Sequence, residues 1–305
     1  MTKRVLVTGA TGFIGRHTLQ PLLERGYEVH AVYHAHAIES DPQIAWHRAD
    51  LLDAKDIERV AAAVQATHLL HFAWIAAPGI YWTSPENLLW KERTLLLLRE
   101  FAKSGGTRAV IAGTCAEYDW TISQDVLTES TSPLQPATPY GISKHEGRLA
   151  TESYAEGSGL SLAWGRIFFL YGPHEAKTRL VPYIITSLLK DEVAECTPGE
   201  QIRDFLHVQD AAHAFVSLLE SNAEGAVNIG SGKPVAIKDI IDAIARQLGK
   251  EDLVRLGAKP IPQGEPARLV ADITRLSKEV GWSPILNLHE GLKETIAWWK
   301  HQGSS

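Results

Sequence analysis

The sequence predicts an α/β protein with a doubly wound parallel sheet and a smaller carboxyl-terminal lobe. Short apolar runs alternate with longer amphipathic segments over the first two-thirds of the chain, a pattern typical of strands that helices cover on both faces. Glycines follow the first apolar run, as expected where a strand turns sharply into a helix. After Tyr171-Gly172-Pro173 the elements become shorter and proline and glycine more frequent, which indicates a second structural unit.

Strands and helices are predicted to alternate along the first unit. Helices are expected at about 13–25, 54–65, 86–103 and 139–156, between strands in RVLVTG, YEVHAVY, IAWHRAD, THLLHFA, RAVIAGT and SLAWGRIFF. Further elements are expected near 178–190, 209–220, 237–248 and 288–300. They should cover the carboxyl edge of the sheet, where open α/β folds bind their ligands.

Composition argues against several classes of protein. Of the 305 residues, 45% are hydrophobic and 22% are charged, as in a soluble globular chain, and the formal charge of −6 argues against nucleic acid as the main partner. The apolar stretch around His71 is shorter than the ~18 residues of a membrane span. The glycine-rich start does not resemble a signal peptide, so we expect a cytoplasmic protein. Cys115 and Cys196 are isolated, so neither a disulfide framework nor a metal site is expected.

The segment VLVTGATGFIG predicts a dinucleotide site. Gly9, Gly12 and Gly15 follow a strand and begin a helix, which permits a tight turn and the approach of backbone N–H groups to a pyrophosphate. We therefore predict a Rossmann-type domain over 1–170 and a substrate-binding lobe over 171–305, with about 205–230 returning to the first domain. The predicted cofactor contacts in this segment are Gly9, Thr11, Gly12, Phe13, Ile14 and Gly15.

The end of the second strand bears on the choice between NAD and NADP. A carboxylate there would accept a ribose hydroxyl of NAD, but Tyr33 and His34 occupy these positions. Without a carboxylate at this strand end, the 2′-phosphate of NADP is not repelled, and Arg16 and His34 could bind it. The sequence thus favours NADP(H), with NAD(H) as the alternative, because Arg16 could equally be a surface residue. The remaining predicted cofactor contacts are Asp50, Leu51 and Ala73.

Three polar residues form a candidate catalytic set. A helix that begins near Pro139 places Tyr140 and Lys144 on one face. An ammonium near a phenol favours the phenolate and lowers its pKa, so Tyr140 could exchange a proton with a carbonyl group. Thr114 ends the strand RAVIAGT, and its hydroxyl could bond the same substrate oxygen. The spacing of Tyr140 and Lys144 alone favours a solvated helix face, so the prediction rests on the three residues together.

Six motifs in a fixed order carry a resemblance to a known family. They are TGATGFIG, HFA at 71–73, GTCAEY, YGISK, LYGP and QIRDFLHVQD. They resemble the extended short-chain dehydrogenase/reductase family, and in particular its NAD-dependent epimerase/dehydratase group, which acts on nucleotide sugars. The resemblance covers the chain to about Trp299. It implies that Thr114, Tyr140 and Lys144 are catalytic, with Tyr140 as the acid/base and Lys144 also binding the nicotinamide ribose.

The same resemblance implies a nucleotide-diphosphate sugar as the substrate. It assigns Arg203 and Arg268 to the diphosphate, a role that suits the planar guanidinium group. The alternatives are an ion pair of Arg203 with Asp204 and a solvated Arg268. Trp74 could form the floor of the sugar pocket or only pack within its loop. Arg179 follows LYGP and could reach the substrate or be a surface residue.

Departures from the family's motifs narrow the reaction. Relatives that remove water resemble one another in carrying Asp-Glu directly after the threonine, where this chain has Cys115 and Ala116. The branch that epimerises two carbons before reduction has a cysteine at the position of Ala116. The resemblance therefore favours an NADPH-dependent ketoreductase that acts at C4 of a 4-keto-6-deoxy sugar nucleotide. The alternatives are a C4 epimerase with tightly bound NAD, an NADPH-dependent reductase of small carbonyl compounds, and a redox sensor without activity.

The helices predicted at 86–103 and 139–156 bear on assembly. They carry more apolar residues than a lone surface helix needs, as in the run from Leu95 to Leu98. Family members often dimerise by pairing these two helices, so the resemblance implies a homodimer. Burial of the apolar stripe within one chain is the alternative.

Overall fold

The computed structural model describes residues 3–38, 41–122 and 124–302. Its strands are β1 (Arg4–Thr8), β2 (Glu28–Tyr33), β3 (Ala45–Arg48), β4 (His68–His71), β5 (Arg108–Thr114), β6 (Ser161–Ile167), β7 (Phe169–Tyr171), β8 (Ala194–Glu195), β9 (Ile202–His207), β10 (Gly225–Ile229), β11 (Pro234–Ala236), β12 (Val254–Arg255) and β13 (Arg268–Leu269). Its helices are α1 (Gly15–Glu24), α2 (Ala54–Val64), α3 (Glu86–Lys103), α4 (Pro139–Ser158), α5 (Leu180–Leu189), α6 (Val208–Glu220), α7 (Ile237–Leu248), α8 (Thr274–Lys278) and α9 (Leu288–Gln302). Short 3₁₀ turns occupy Cys115–Glu117 and Glu251–Leu253.

The central sheet of the described chain has seven parallel strands in the order β10-β6-β5-β4-β1-β2-β3. This confirms the predicted doubly wound α/β fold. The direction of winding reverses between β1 and β4, and open α/β sheets bind ligands in the crevice at such a point, beyond the carboxyl ends of the strands. All seven residues of β5 are buried, as expected for a central strand covered on both faces.

Two apolar cores cover the two faces of this sheet. Successive side chains of a strand point to opposite faces, so Val5 and Val7 pack in one core and Leu6 in the other. The first core includes α1 and α6, and the second includes α2, α3 and α4. The helices predicted from apolar periodicity begin and end within two residues of the observed bounds. Among the described helices, none combines the length and the apolar character that crossing a membrane requires.

A third core forms the smaller lobe. It joins α5, α7 and α9 through residues such as Ile184, Ile241 and Leu292. In a separate sheet β9 pairs with β7, β11 and β13. The chain returns to the first unit through α6, which packs on α1, and through β10, which pairs with β6. The lobe therefore stands beside the carboxyl ends of β1, β4 and β5, where it closes one side of a cavity.

Candidate functional site

A cavity of about 540 Å³ lies where the winding of the sheet reverses. Its walls come from the turn after β1, the ends of β4 and β5, the start of α4, and the lobe. It thus brings together the glycine turn, Thr114, Tyr140, Lys144 and Arg203. Most of its lining is apolar, including Trp74 and other aromatic rings from the lobe and the segment after β4. A few polar groups in an apolar cleft are typical of a small-molecule site.

The glycine turn is as close-packed as the sequence predicts. Gly9 has a φ of +66°, and a Cβ there would stand 2.7 Å from the backbone nitrogen of Ala73. A Cβ on Gly15 would stand 2.2 Å from the Gly9 carbonyl oxygen. Helix α1 begins here without a side-chain cap, so the positive end of its dipole is available to an anion. This turn fits the pyrophosphate of a dinucleotide, because glycines admit it and a helix terminus faces it.

Thr114 is held firmly at the end of β5. Its hydroxyl accepts a hydrogen bond from the Ala116 N–H at 3.2 Å, and its own N–H donates to Oε1 of Glu117 at 2.9 Å. Together these bonds form a capping box on the following 3₁₀ turn. The hydroxyl still faces the cavity, so its position is fixed before any ligand binds.

Tyr140 stands in the first turn of α4. Its backbone N–H donates to the Trp82 carbonyl at 3.2 Å, and its ring lies edge-on to Tyr81 and Trp82, with centroids 4.9 and 5.6 Å away. Burial among these rings raises the pKa of the Tyr140 phenol, while the neighbouring Tyr81 acts in the same direction and a hydrogen bond with Thr114 opposes them. Tyr140 is therefore a protonated phenol beside the Thr114 hydroxyl.

Lys144 lies one helical turn further along α4 and is only 3% exposed. Its Nζ donates to the Ala112 carbonyl at 2.8 Å and stands 3.8 Å from the centroid of the Trp74 ring. Burial lowers the pKa of Lys144 to about 7, and Glu117 acts in the opposite direction. The expectation that Lys144 lowers the pKa of Tyr140 is wrong for this structure. Burial disfavours the charged form of both groups, so it raises one pKa and lowers the other.

A buried ion pair beneath the site was not predicted. Glu117 accepts hydrogen bonds from Nε1 of Trp164 at 2.7 Å and from Nε of Arg166 at 2.9 Å. Glu117 and Arg166 are both 0% exposed. The signal was present in the sequence, because an arginine within the apolar strand SLAWGRIFF needs a buried partner. This pair supports the turn that presents Thr114.

Of the two arginines predicted for a diphosphate, the structure brings one to the cavity. Arg203 is 1% exposed, forms an ion pair with Glu265, and its guanidinium carbon stands 5.3 Å from the centroid of the Phe169 ring. Asp204 does not pair with it. Arg268 is not among the residues that line the cavity, and its Nε donates to the Asp125 carbonyl at 2.7 Å.

Trp74 and Arg179 both line the cavity. Nε1 of Trp74 donates to Asn87 at 2.8 Å, and the ring stacks on Trp90 with centroids 6.3 Å apart. Trp74 thus packs within its loop and also lines the cavity, so the two interpretations of this residue are compatible. Arg179 is exposed at the start of α5, with its guanidinium carbon 5.4 Å from the centroid of the Tyr81 ring.

The residues predicted to select NADP do not form one basic site. The guanidinium of Arg16 donates to the carbonyls of Thr11 and Gly12, at 2.8 and 3.3 Å. Nε2 of His34 stands 3.9 Å from a carboxylate oxygen of Asp50, and that negative charge would oppose a 2′-phosphate. Of the other predicted contacts, the Tyr33 ring is edge-on to Trp46, Leu51 is buried, and Ala73 lines the cavity.

Residues 5–230 match the model of the NAD dependent epimerase/dehydratase family. UDP-glucuronic acid decarboxylase 1 of Xenopus tropicalis is 26% identical, with 98% of this chain and 73% of that protein covered. The UDP-glucose 4-epimerase structure of Thermus thermophilus with NAD is 27% identical, with a TM-score of 0.86 and coverage of 97% and 99%. The Thermotoga maritima UDP-glucose 4-epimerase with UDP-glucose, 24% identical, shares the fold with a TM-score of 0.90 and coverage of 98% and 99%. The chain is therefore an enzyme of the NAD dependent epimerase/dehydratase family, within the extended short-chain dehydrogenases/reductases that its motifs predict.

Proposed function

We propose that this enzyme transfers hydride at C4 of a nucleotide-diphosphate sugar with NAD as its cofactor, and that the net reaction is epimerisation at C4. The observation that carries the proposal is a single cavity that contains both the glycine turn and the Thr114–Tyr140 pair. A dinucleotide bound at the turn would then share the cavity with a sugar beside the phenol. The Thermus thermophilus relative is described with NAD, which supports NAD for this chain.

In this proposal the chain's own groups handle the proton. NAD held at the glycine turn would supply the hydride acceptor and donor. Tyr140 acts as both base and acid: as the phenolate it accepts the proton of the C4 hydroxyl when that carbon is oxidised, and as the phenol it returns this proton to the carbonyl oxygen on reduction. The phenol is protonated in the protein alone, so the positive charge of a bound nicotinamide would favour the phenolate that oxidation of the hydroxyl requires. Thr114 donates a hydrogen bond to the oxygen at C4 and keeps it in place. The Lys144 amine binds the nicotinamide ribose.

The segment after Thr114 disfavours elimination of water. Removal of water from the sugar needs an acid and a base in addition to the tyrosine. Cys115 and Ala116 stand there, and burial raises the pKa of the Cys115 thiol to about 12, so this thiol does not act as a base near neutral pH. Hydride transfer at C4 without loss of water fits these residues better.

Arg203 is the proposed partner of the substrate diphosphate. It is buried in the cavity wall, and its counter-ion Glu265 belongs to a loop rather than to a strand or helix. A diphosphate could replace this carboxylate and form two parallel hydrogen bonds with the guanidinium. Arg179, at the exposed edge of the cavity, is the proposed second cation. Arg268 would have to leave Asp125 to take part.

Reduction of a 4-keto-6-deoxy sugar nucleotide with NADPH is the second candidate. It is favoured by the end of β2, where Tyr33 is followed by His34 and not by a carboxylate. The order of the two candidates reverses that expected from the sequence, because Asp50 lies beside His34 while Arg16 contacts its own turn.

A homodimer formed through α3 and α4 is the proposed assembly. These helices pack on each other, and Leu88, Ile142 and Leu149 on them are 55%, 39% and 49% exposed. Leu97 and Leu98 are buried within the chain, so only part of the apolar stripe is left for a partner. Sedimentation of the purified protein would report a dimer, and Leu149→Glu would yield monomers.

The reaction is tested with purified protein and UDP-glucose. An epimerase converts it to the C4 epimer with no added nicotinamide, and proton NMR detects the inverted C4. A reductase leaves UDP-glucose unchanged and consumes NADPH only with a 4-keto-6-deoxy sugar nucleotide. Absence of turnover with both substrates, and with other nucleotide-diphosphate hexoses, would contradict the proposed function.

A further inference from the structure

Glu175 stands in the wall between the main cavity and a second cavity of similar volume, about 540 Å³. Three other residues line both spaces, namely Gly12, Phe13 and Ala176. Two of them belong to the glycine turn. Glu175 therefore lines both cavities together with the segment that begins α1.

The carboxyl group is unusual in its surroundings. Its Oε2 atom is buried and has no hydrogen-bond partner among the described residues. Arg179 is near enough to act on its charge but contacts Tyr81 instead. Burial raises the pKa of Glu175 to about 8, while Arg179 and a hydrogen bond between the carboxyl group and the Gly172 backbone oppose this rise. The orphan is therefore Oε2 alone. Buried polar atoms are nearly always hydrogen-bonded in native proteins, so a buried orphan oxygen indicates a missing partner.

The protonation state determines which partner it can have. A carboxylate only accepts hydrogen bonds and would repel an anion, whereas a protonated carboxyl group donates one hydrogen bond. Arg16, His174 and Lys177 line the second cavity with Glu175, and Arg179 acts on the carboxyl charge. His17 lies near Arg16 and His174. Most of them favour an anion, as does the uncapped start of α1.

We propose that Glu175, in its protonated form, donates a hydrogen bond to an anionic oxygen of the dinucleotide held at the glycine turn. This role of Glu175 rests on the proposed function in one respect, namely that the cofactor is a nicotinamide dinucleotide. Glu175 is then a binding residue that holds the dinucleotide at neutral pH. In alkali the group becomes a carboxylate, which has no hydrogen to donate and repels the phosphate, so the dinucleotide is released.

Calorimetric titration of the whole chain, first freed of any nicotinamide that purifies with it, with NAD between pH 6.5 and 9 tests this. Wild-type affinity should fall by about tenfold across pH 8, since roughly nine-tenths of a carboxyl group is ionised one pH unit above its pKa. Glu175→Gln keeps a neutral donor of the same shape and should lose most of this pH dependence. Glu175→Leu should bind NAD weakly at every pH.

Other sources of pH dependence can be separated from that of Glu175. Glu265→Gln removes a different carboxylate from the same cavity and should keep the wild-type slope. Lys144 also titrates in this range, but it is common to all these proteins, so the variants are compared with one another. His174 stays neutral throughout, because burial lowers its pKa to about 4.

The outcomes are distinct. A slope that is equal in wild type and Glu175→Gln overturns the proposal, as does NAD binding by Glu175→Leu at wild-type strength. UDP is the second probe. If the difference between wild type and Glu175→Gln appears with UDP and not with NAD, the carboxyl group serves the sugar nucleotide and the assignment to the dinucleotide is overturned. Tyr140→Phe should lose turnover and keep the pH dependence of NAD binding, so failure of this proposal and failure of the proposed reaction can be told apart.

Discussion

The two ends of the main cavity are built in different ways. At the sheet end, the glycine turn and Thr114 are positioned by backbone packing and by hydrogen bonds to neighbours in sequence. At the lobe end, Arg203 is positioned by Glu265, which lies 62 residues away in sequence and belongs to a loop. The first arrangement depends on the fold of a strand end, whereas the second depends on one loop side chain, which we propose gives way to a substrate phosphate.

This difference separates chemistry from recognition. A proton donor must be held within a fraction of an ångström of its target, and residues at strand ends and helix starts meet that demand. A cation that recognises a substrate needs charge and reach, and in our proposal Glu265 neutralises Arg203 until a phosphate takes its place. Each prediction below tests whether the sheet end is fixed and the lobe end exchangeable, beginning with the largest expected effect.

Replacement of Tyr140 by phenylalanine should have the largest effect. The variant keeps the ring and its aromatic neighbours but removes the proton donor, so kcat should fall by about 10²–10⁴-fold, the usual contribution of acid–base catalysis. Affinity for NAD and the melting temperature should stay close to wild type. Tyr183→Phe, in the lobe, is the matched control and should leave kcat unchanged. Turnover at wild-type rate in Tyr140→Phe would exclude this phenol as the acid.

Neutralising Glu117 tests whether its buried ion pair with Arg166 stabilises the sheet end of the cavity. Glu117→Gln leaves the buried Arg166 without its counter-ion, and breaking a buried pair in this way costs about 3–5 kcal/mol of unfolding free energy. Urea denaturation measures that loss. Glu152→Gln, which removes the partly exposed partner of Arg148, should cost less than about 1 kcal/mol. Equal losses in the two variants would mean that the buried pair adds no special support.

The same contrast explains what the sequence could predict. Periodicity gave the helices because a helix face and a buried strand each repeat over a few residues, and the Thr114–Tyr140–Lys144 set followed from positions at element ends. The ion pair of Arg203 with Glu265 joins residues far apart, and no local pattern specifies it. Glu175 was missed because its burial depends on α1 and the lobe together. The pKa of Tyr140 was mispredicted because spacing reveals a neighbour but not the depth of burial.

Loss of Arg203 should weaken substrate binding more than catalysis. Arg203→Gln should raise KM for the nucleotide sugar and Kd for UDP by about tenfold to a hundredfold, since a charge-assisted hydrogen bond contributes about 1.5–3 kcal/mol. Arg268→Gln is the matched control, because its guanidinium contacts Asp125 outside the cavity lining. Calorimetry with UDP measures both. Equal losses of UDP affinity in the two variants would mean that both arginines bind the diphosphate, as the resemblance implies.

Removal of the counter-ion should have the opposite effect. Glu265→Gln frees Arg203 from a carboxylate that competes with phosphate, so UDP should bind about twofold to fivefold more tightly, as a partly exposed ion pair contributes up to about 1 kcal/mol. NAD affinity should not change, because the glycine turn belongs to the other end of the cavity. Weaker UDP binding in Glu265→Gln would show that the carboxylate takes part in binding and that the lobe end is not exchangeable as described.

The smallest expected effect concerns Lys144 and pH. Its pKa is about 7 in the folded protein against an ordinary value of 10.5, so between these values the unfolded chain binds the extra proton. Stability from this group therefore rises with pH from 7 to 10.5, and below pH 7 its full destabilising effect is present. Lys144→Met, a neutral side chain of similar length, should melt at a higher temperature than wild type at pH 7. This difference in melting temperature should amount to a few degrees at pH 7 and should narrow by pH 9.5, since about 1 kcal/mol moves the melting temperature of a domain of about 200 residues by roughly 2–4 °C.

Lys91→Met, which removes a more exposed lysine that pairs with Glu146, is the control, and its difference from wild type should not narrow with pH. A constant gap for Lys144→Met would mean that the amine stays charged at the sheet end, and that this end tolerates a buried cation without help from the cofactor.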